Sequence, residues 1–252
     1  MTSANGHLRF AGRDTVELAE RYGTPLYLMD EGRIRHNCRV YRENMDRLFP
    51  AALPLYASKA LSCKRLYEIV AEEGLGADVV SPGELYLARS AGFPMEKVFF
   101  HGNAKTDADI AFAMDCGVGY FIIDNPDELQ AVERLAGERG IRQKALLRLT
   151  PGIDPHTFEA VSTGQVDSKF GIPIETGQAL SFVARALELP HVDVRGLHAH
   201  VGSQVFDSQV FDDTADIMLR FLGELREKLG YTAAVLNLGG GYGVRYTERD
   251  PE

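Results

Sequence analysis

The chain predicts an α/β fold: a parallel sheet curled into a (β/α)8-type barrel. Short apolar runs alternate with amphipathic stretches at helical spacing, and no low-complexity linker interrupts them. Polar and small residues gather at the carboxyl ends of those runs, the pattern that a barrel mouth requires.

The apolar runs are residues 53–58, 76–80, 97–101, 119–124, 144–149, 194–200 and 233–238, seven strands in all. Between them, residues 63–73, 82–91, 126–139, 175–187 and 212–229 carry apolar residues three and four apart and predict helices. Ser81-Pro82-Gly83-Glu84 supplies an N-cap, a proline at the first helical position and an acid three residues after the cap. Asn125-Pro126-Asp127-Glu128 repeats the device. Strands buried on both faces and joined through helices imply parallel pairing. An open doubly wound sheet would concentrate ligand residues at one switch point. Here six of the seven strand ends carry reactive or glycine-rich groups, which favours the barrel. Residues 150–165, rich in Pro, Gly, Ser and Thr, predict an extended loop at the barrel mouth, of a length usual for lids. The barrel region is residues 36–252. Residues 1–35 form a separate N-terminal segment, in which 24–30 could be a strand of a different sheet.

Composition narrows the function classes. The 252 residues are 45% hydrophobic and 25% charged, the balance of a globular domain. A net charge of −9 without a basic cluster argues against nucleic-acid binding. No apolar run approaches the ~20 residues of a membrane span. Cys38, Cys63 and Cys116 are far apart and outside any CxxC pattern, so they predict reduced thiols in a cytoplasmic protein.

Chemistry is carried by five groups of residues. Lys59 follows the first strand, where a lysine entering a cavity becomes an amine nucleophile suited to Schiff-base chemistry; the competing reading is a surface lysine. Asp78 ends a strand too apolar for an unpaired carboxylate, so it caps the turn or meets a buried cation. Arg148, in Leu146-Leu147-Arg148-Leu149, needs an anion or carbonyl partner, either a ligand or a structural salt bridge. His198 and His200 share one side of a strand by period-two alternation, with Ser203 just beyond. No acid set at ligand spacing accompanies them, which argues against a metal. Gly239-Gly240-Gly241 follows the last strand and suits either a backbone nest for a phosphate or a plain turn.

In this order the motifs resemble the fold-type III pyridoxal-phosphate-dependent decarboxylases, most closely the diaminopimelate decarboxylase branch. The resemblance rests on Tyr56-Ala57-Ser58-Lys59-Ala60, on Gly74 to Leu85, and on Ser162-Thr163-Gly164-Gln165 with Asp167-Ser168-Lys169-Phe170-Gly171. It continues in His198-Ala199-His200-Val201-Gly202-Ser203-Gln204 and the triple glycine, and covers nearly the whole chain. It implies a barrel that binds pyridoxal 5'-phosphate. Lys59 holds the cofactor through its amine, His200 stacks on the pyridine face, and both are catalytic. Ser203 with Gly239, Gly240 and Gly241 binds the phosphate, while Asp78 and Arg148 lie near the ring. The reaction implied is decarboxylation of meso-2,6-diaminopimelate, a small amino-acid substrate, to L-lysine and CO2, the last step of lysine biosynthesis, in a homodimer.

Family members continue with an eighth barrel strand, a C-terminal β-domain and a Glu-Pro-Gly-Arg segment, none of which matches before Glu252. The expectation is therefore a barrel truncated after its seventh strand, with the β-domain absent and residues 1–35 belonging to that domain's sheet. A different class remains as the alternative, a non-catalytic pyridoxal-phosphate-binding protein, either a decarboxylase-like regulator or a carrier. Alanine racemase, another enzyme alternative, expects a different sequence after the lysine.

Overall fold

A computed structural model describes residues 2–4, 6–153 and 169–251. Three short strands open the chain, β1 (Thr2–Ala4), β2 (His7–Phe10) and β3 (Arg13–Asp14), paired antiparallel in a sheet of their own. Asp14 caps helix α1 (Thr15–Tyr22), its carboxylate accepting from the Val16 and Glu17 amides. Residues 24–30 form no strand, contrary to the sequence expectation; they run unpaired into α2 (Glu31–Leu48). That helix buries only Cys38. Ile34 packs on the large core beside it, and Arg35 and Arg39 both reach Glu73, at 2.9 and 2.7 Å.

The main sheet is parallel and runs in the order β11-β10-β8-β7-β6-β5-β4. Its strands are β4 (Leu55–Ala57), β5 (Gly76–Val79), β6 (Val98–Phe100), β7 (Tyr120–Ile123), β8 (Gln143–Thr150), β10 (Val192–His198) and β11 (Val235–Asn237). All seven overlap the predicted runs, with β10 beginning two residues early as the largest overhang. Short β9 (Ile172–Pro173) adds to the end of β8. The intervening helices are α3 (Lys64–Glu72), α4 (Pro82–Ser90), α5 (Asp107–Asp115), α6 (Pro126–Glu138), α7 (Gln178–Leu187) and α8 (Gln209–Leu229). Of the segment predicted as a lid, residues 154–165 lie outside the described residues, and so do residues 162–165, 167 and 168 of the motif that runs to Gly171.

Period-two alternation sorts the strand side chains into two layers. Ala77, Val79, Val98, Phe100, Phe121, Ile123, Ala145 and Leu147 face the helices in the large core. Phe99, Ile122 and Leu146 form a second, inner cluster. Leu55 from β4 and Val235 from β11 both pack on that inner cluster, and no hydrogen bond joins the first strand of the sheet to the last. The sheet therefore curls as a barrel does, with an open seam between β4 and β11.

Candidate active site

The carboxyl ends of the parallel strands converge on one polar region. Lys59 sits in a single 3-10 turn, Ser58–Ala60, directly after β4. Ser58 is fully buried; its hydroxyl lies 2.8 Å from the Asp78 carbonyl and 2.6 Å from Glu84 Oε2. Lys59 itself is exposed rather than enclosed in a cavity, because β4 is an edge strand.

Asp78, at the end of β5, lies beside a histidine. Its Oδ1 lies 3.1 Å from His101 Nε2, without hydrogen-bond alignment. The His101 ring packs edge-on against His198, centroids 4.9 Å apart. His198 is buried and its Nδ1 has no hydrogen-bond partner among the described residues. Burial, reinforced by the positive charges of His101 and Arg148, holds the His198 pKa well below the usual histidine value.

His200 follows the same strand. Burial pushes its pKa down to about 3, and the nearby Arg148 and Lys59 charges push the same way while Asp78 opposes them. At neutral pH its ring is therefore uncharged and flat. Arg148, on β8, is buried with its Nη1 3.6 Å from Asp124 Oδ1 and its guanidinium 4.2 Å over the Phe170 ring.

The glycine run closes on the loop that carries Ser203. Gly239 and Gly241 have φ of 75° and 95°, conformations that side chains disfavour. A Cβ on Gly241 would stand 1.8 Å from the Gly202 carbonyl oxygen, and one on Gly239 would stand 2.8 Å from His200 Nδ1. Val205 donates to the Gly241 carbonyl at 2.9 Å, and Val205 and Tyr242 form an isolated parallel bridge. The Gly240 amide donates to His200 Nδ1 at 3.5 Å. So Lys59, Asp78, Arg148, His200, Ser203 and Gly239 to Gly241 all belong to this end of the sheet. The groove of about 410 Å³ lined by Val205, Phe206, Phe211, Tyr242 and Arg245 holds none of them.

Three side chains at this end escape sequence reasoning: Asp124, Lys105 and Glu128. Asp124 ends an apolar strand as Asp78 does, and that likeness was the available signal. Lys105 and Glu128 are a buried pair, Nζ to Oε1 2.6 Å, with side-chain exposures of 2% and 3%. Among the described residues no group of His, Cys, Asp and Glu could hold a metal.

The pattern for the pyridoxal binding domain of pyridoxal-dependent decarboxylases matches residues 31–252. The chain belongs to that family. Among curated proteins it is similar to the diaminopimelate decarboxylase of Bacillus methanolicus, 45% identical over 97% of this chain and 57% of the relative. The Bacillus subtilis diaminopimelate decarboxylase is 42% identical over 98% of this chain and 56% of the relative. A diaminopimelate decarboxylase from M. jannaschii, solved in complex with L-lysine, superposes with a TM-score of 0.89 at 35% identity, over 98% of this chain and 58% of that one. The chain thus spans a little over half the length of the relatives it matches.

The residues present fit pyridoxal phosphate. Asp78 Oδ1, His101 Nε2, Asp124 Oδ1 and His198 Nδ1 are buried without hydrogen-bond partners among the described residues, so this end of the sheet has polar atoms for a ligand to meet. A glycine turn too tight for side chains, a neutral imidazole and an accessible lysine complete the set that a phosphate, a flat ring and an aldehyde need.

Proposed function

We propose that this chain is the cofactor-binding barrel of an enzyme that decarboxylates meso-2,6-diaminopimelate to L-lysine and CO2. The observation that carries the reading is the convergence of Lys59, His200 and the glycine run on one end of a curled parallel sheet. Bound pyridoxal phosphate supplies the electron sink that accepts the pair left when a carboxylate departs. Lys59 anchors it through its amine. His200 offers an uncharged face for the ring, its charge suppressed by burial and by Arg148 and Lys59. Ser203 and Gly239 to Gly241 hold the phosphate with a hydroxyl and backbone N–H groups. Asp78, beside His101, and Arg148, facing the Asp124 carboxylate, fix the electrostatics around the ring.

The same proposal takes residues 1–35 as part of the second domain's sheet, because β1–β3 share no ladder with the main sheet. It takes the whole protein as a cytoplasmic homodimer. Among the described residues no helix is long and apolar enough to cross a membrane. Tyr27, Met29, Phe49 and Tyr246 are exposed apolar side chains that another domain or subunit can cover.

The test is CO2 release from diaminopimelate, lysine and ornithine by the whole protein of which this chain is the barrel. Release from diaminopimelate alone is the expected result. Cofactor absorbance without CO2 from any substrate would replace the enzyme with a non-catalytic binding protein. Lys59→Ala retaining the full cofactor absorbance would remove Lys59 from its role.

A further inference from the structure

We propose that Asp124, held in place by the Lys105–Glu128 pair, is a positioning residue that sets Arg148 against the cofactor. The inference rests on the reading of Arg148 as a neighbour of the cofactor ring and adds what fixes it there.

Four charged side chains share the space under the ends of β7 and β8. Lys105 Nζ donates to the Gly102 and Ile122 carbonyls at 2.8 and 2.9 Å and to Glu128 Oε1 at 2.6 Å. The other Glu128 oxygen accepts the Asp124 amide at 3.0 Å, so Glu128 grips the backbone of the residue it serves. The Asp124 carboxylate then has one orientation with two uses. Its Oδ2 accepts the Gly171 amide at 3.2 Å, and its Oδ1 faces Arg148 Nη1 at 3.6 Å. Side-chain exposures of 3% for Asp124 and 7% for Arg148 leave little water to screen that contact.

Arg148 therefore lies between a carboxylate and the Phe170 face at 4.2 Å, and the Gly171 amide that completes the carboxylate belongs to the same short segment as Phe170. Two cations and two anions balance within the group. Asp124 Oδ1 makes no aligned hydrogen bond in the described structure. Its relation to Arg148 is one of charge across a dry gap, and such a contact directs a guanidinium without closing its other donors.

The experiment compares Asp124→Asn, Arg148→Gln and the double variant in the full chain. Cofactor affinity is read by absorbance titration with pyridoxal phosphate, and folding by the melting temperature of the cofactor-free protein. Asp124→Asn should weaken cofactor binding about tenfold, because it removes the charge that faces Arg148 and keeps the shape of the side chain. The double variant should bind no more weakly than Arg148→Gln alone. Unchanged affinity in Asp124→Asn, a loss confined to the melting temperature, or losses that add across the two sites would each overturn the proposal. Arg148→Gln with unchanged affinity would overturn it by removing Arg148 from the cofactor, whereas failure of CO2 release concerns the decarboxylase reading alone. Should Asp124→Asn not fold, Asp124→Glu keeps the charge, shifts it by one methylene and serves the same comparison.

Discussion

The turns after β5 and β7 are built to one plan and end in different chemistry. Each places a capping residue, a proline and a glutamate in sequence: Ser81, Pro82 and Glu84 in one, Asn125, Pro126 and Glu128 in the other. In each the cap accepts the amide of the glutamate, at 3.3 and 2.9 Å. The glutamate in turn reaches back to the amide of the last strand-end residue, Val80 at 2.8 Å and Asp124 at 3.0 Å. The third partner is where they part. Glu84 meets the neutral hydroxyl of Ser58 and Glu128 meets the ammonium of Lys105, both at 2.6 Å. Local sequence thus dictates the backbone hook, while a residue far away in the chain decides whether it carries a neutral contact or a buried ion pair.

Breaking the ion pair separates the two turns most. Lys105→Met leaves Glu128 charged and buried, so urea denaturation should report a loss of about 3–5 kcal/mol. Lys105→Met with Glu128→Leu should recover much of it. An equal loss in single and double variants would mean that packing, rather than charge, distinguishes the turn. Glu84→Ala removes the acceptor of Val80 and Ser58 from a half-buried site, and about 1–3 kcal/mol is expected by the same measurement. A cost matching that of Lys105→Met would erase the contrast. The caps should be alike: Ser81→Ala and Asn125→Ala should each cost about 1 kcal/mol, and a large difference would show that the shared plan is only superficial.

The sheet was legible because apolar strands and amphipathic helices both follow from burial, and every strand of the main path answers to an apolar run. Helix α2 was not, because its stabilising contacts are Arg35 and Arg39 on Glu73 rather than an apolar stripe. Within the candidate site, the strand-end positions of Lys59, His200 and the glycines were legible because such residues are unusual after apolar runs. Lys105 and Glu128 were not, since their neighbours in the chain are largely polar and give no sign of burial. Only the tertiary fold brings Nζ within reach of two carbonyls and a carboxylate.

That enclosure of Lys105 bears on chemoselectivity. An amine condenses with an aldehyde through its lone pair, and only where the aldehyde can reach it. Burial lowers the Lys105 pKa in spite of Glu128, but three acceptors surround the nitrogen, one for each proton of an ammonium. The nitrogen is shielded on every side that matters to an incoming reagent. Lys59 stands in the open beyond β4, and of these two lysines it alone is available to be modified.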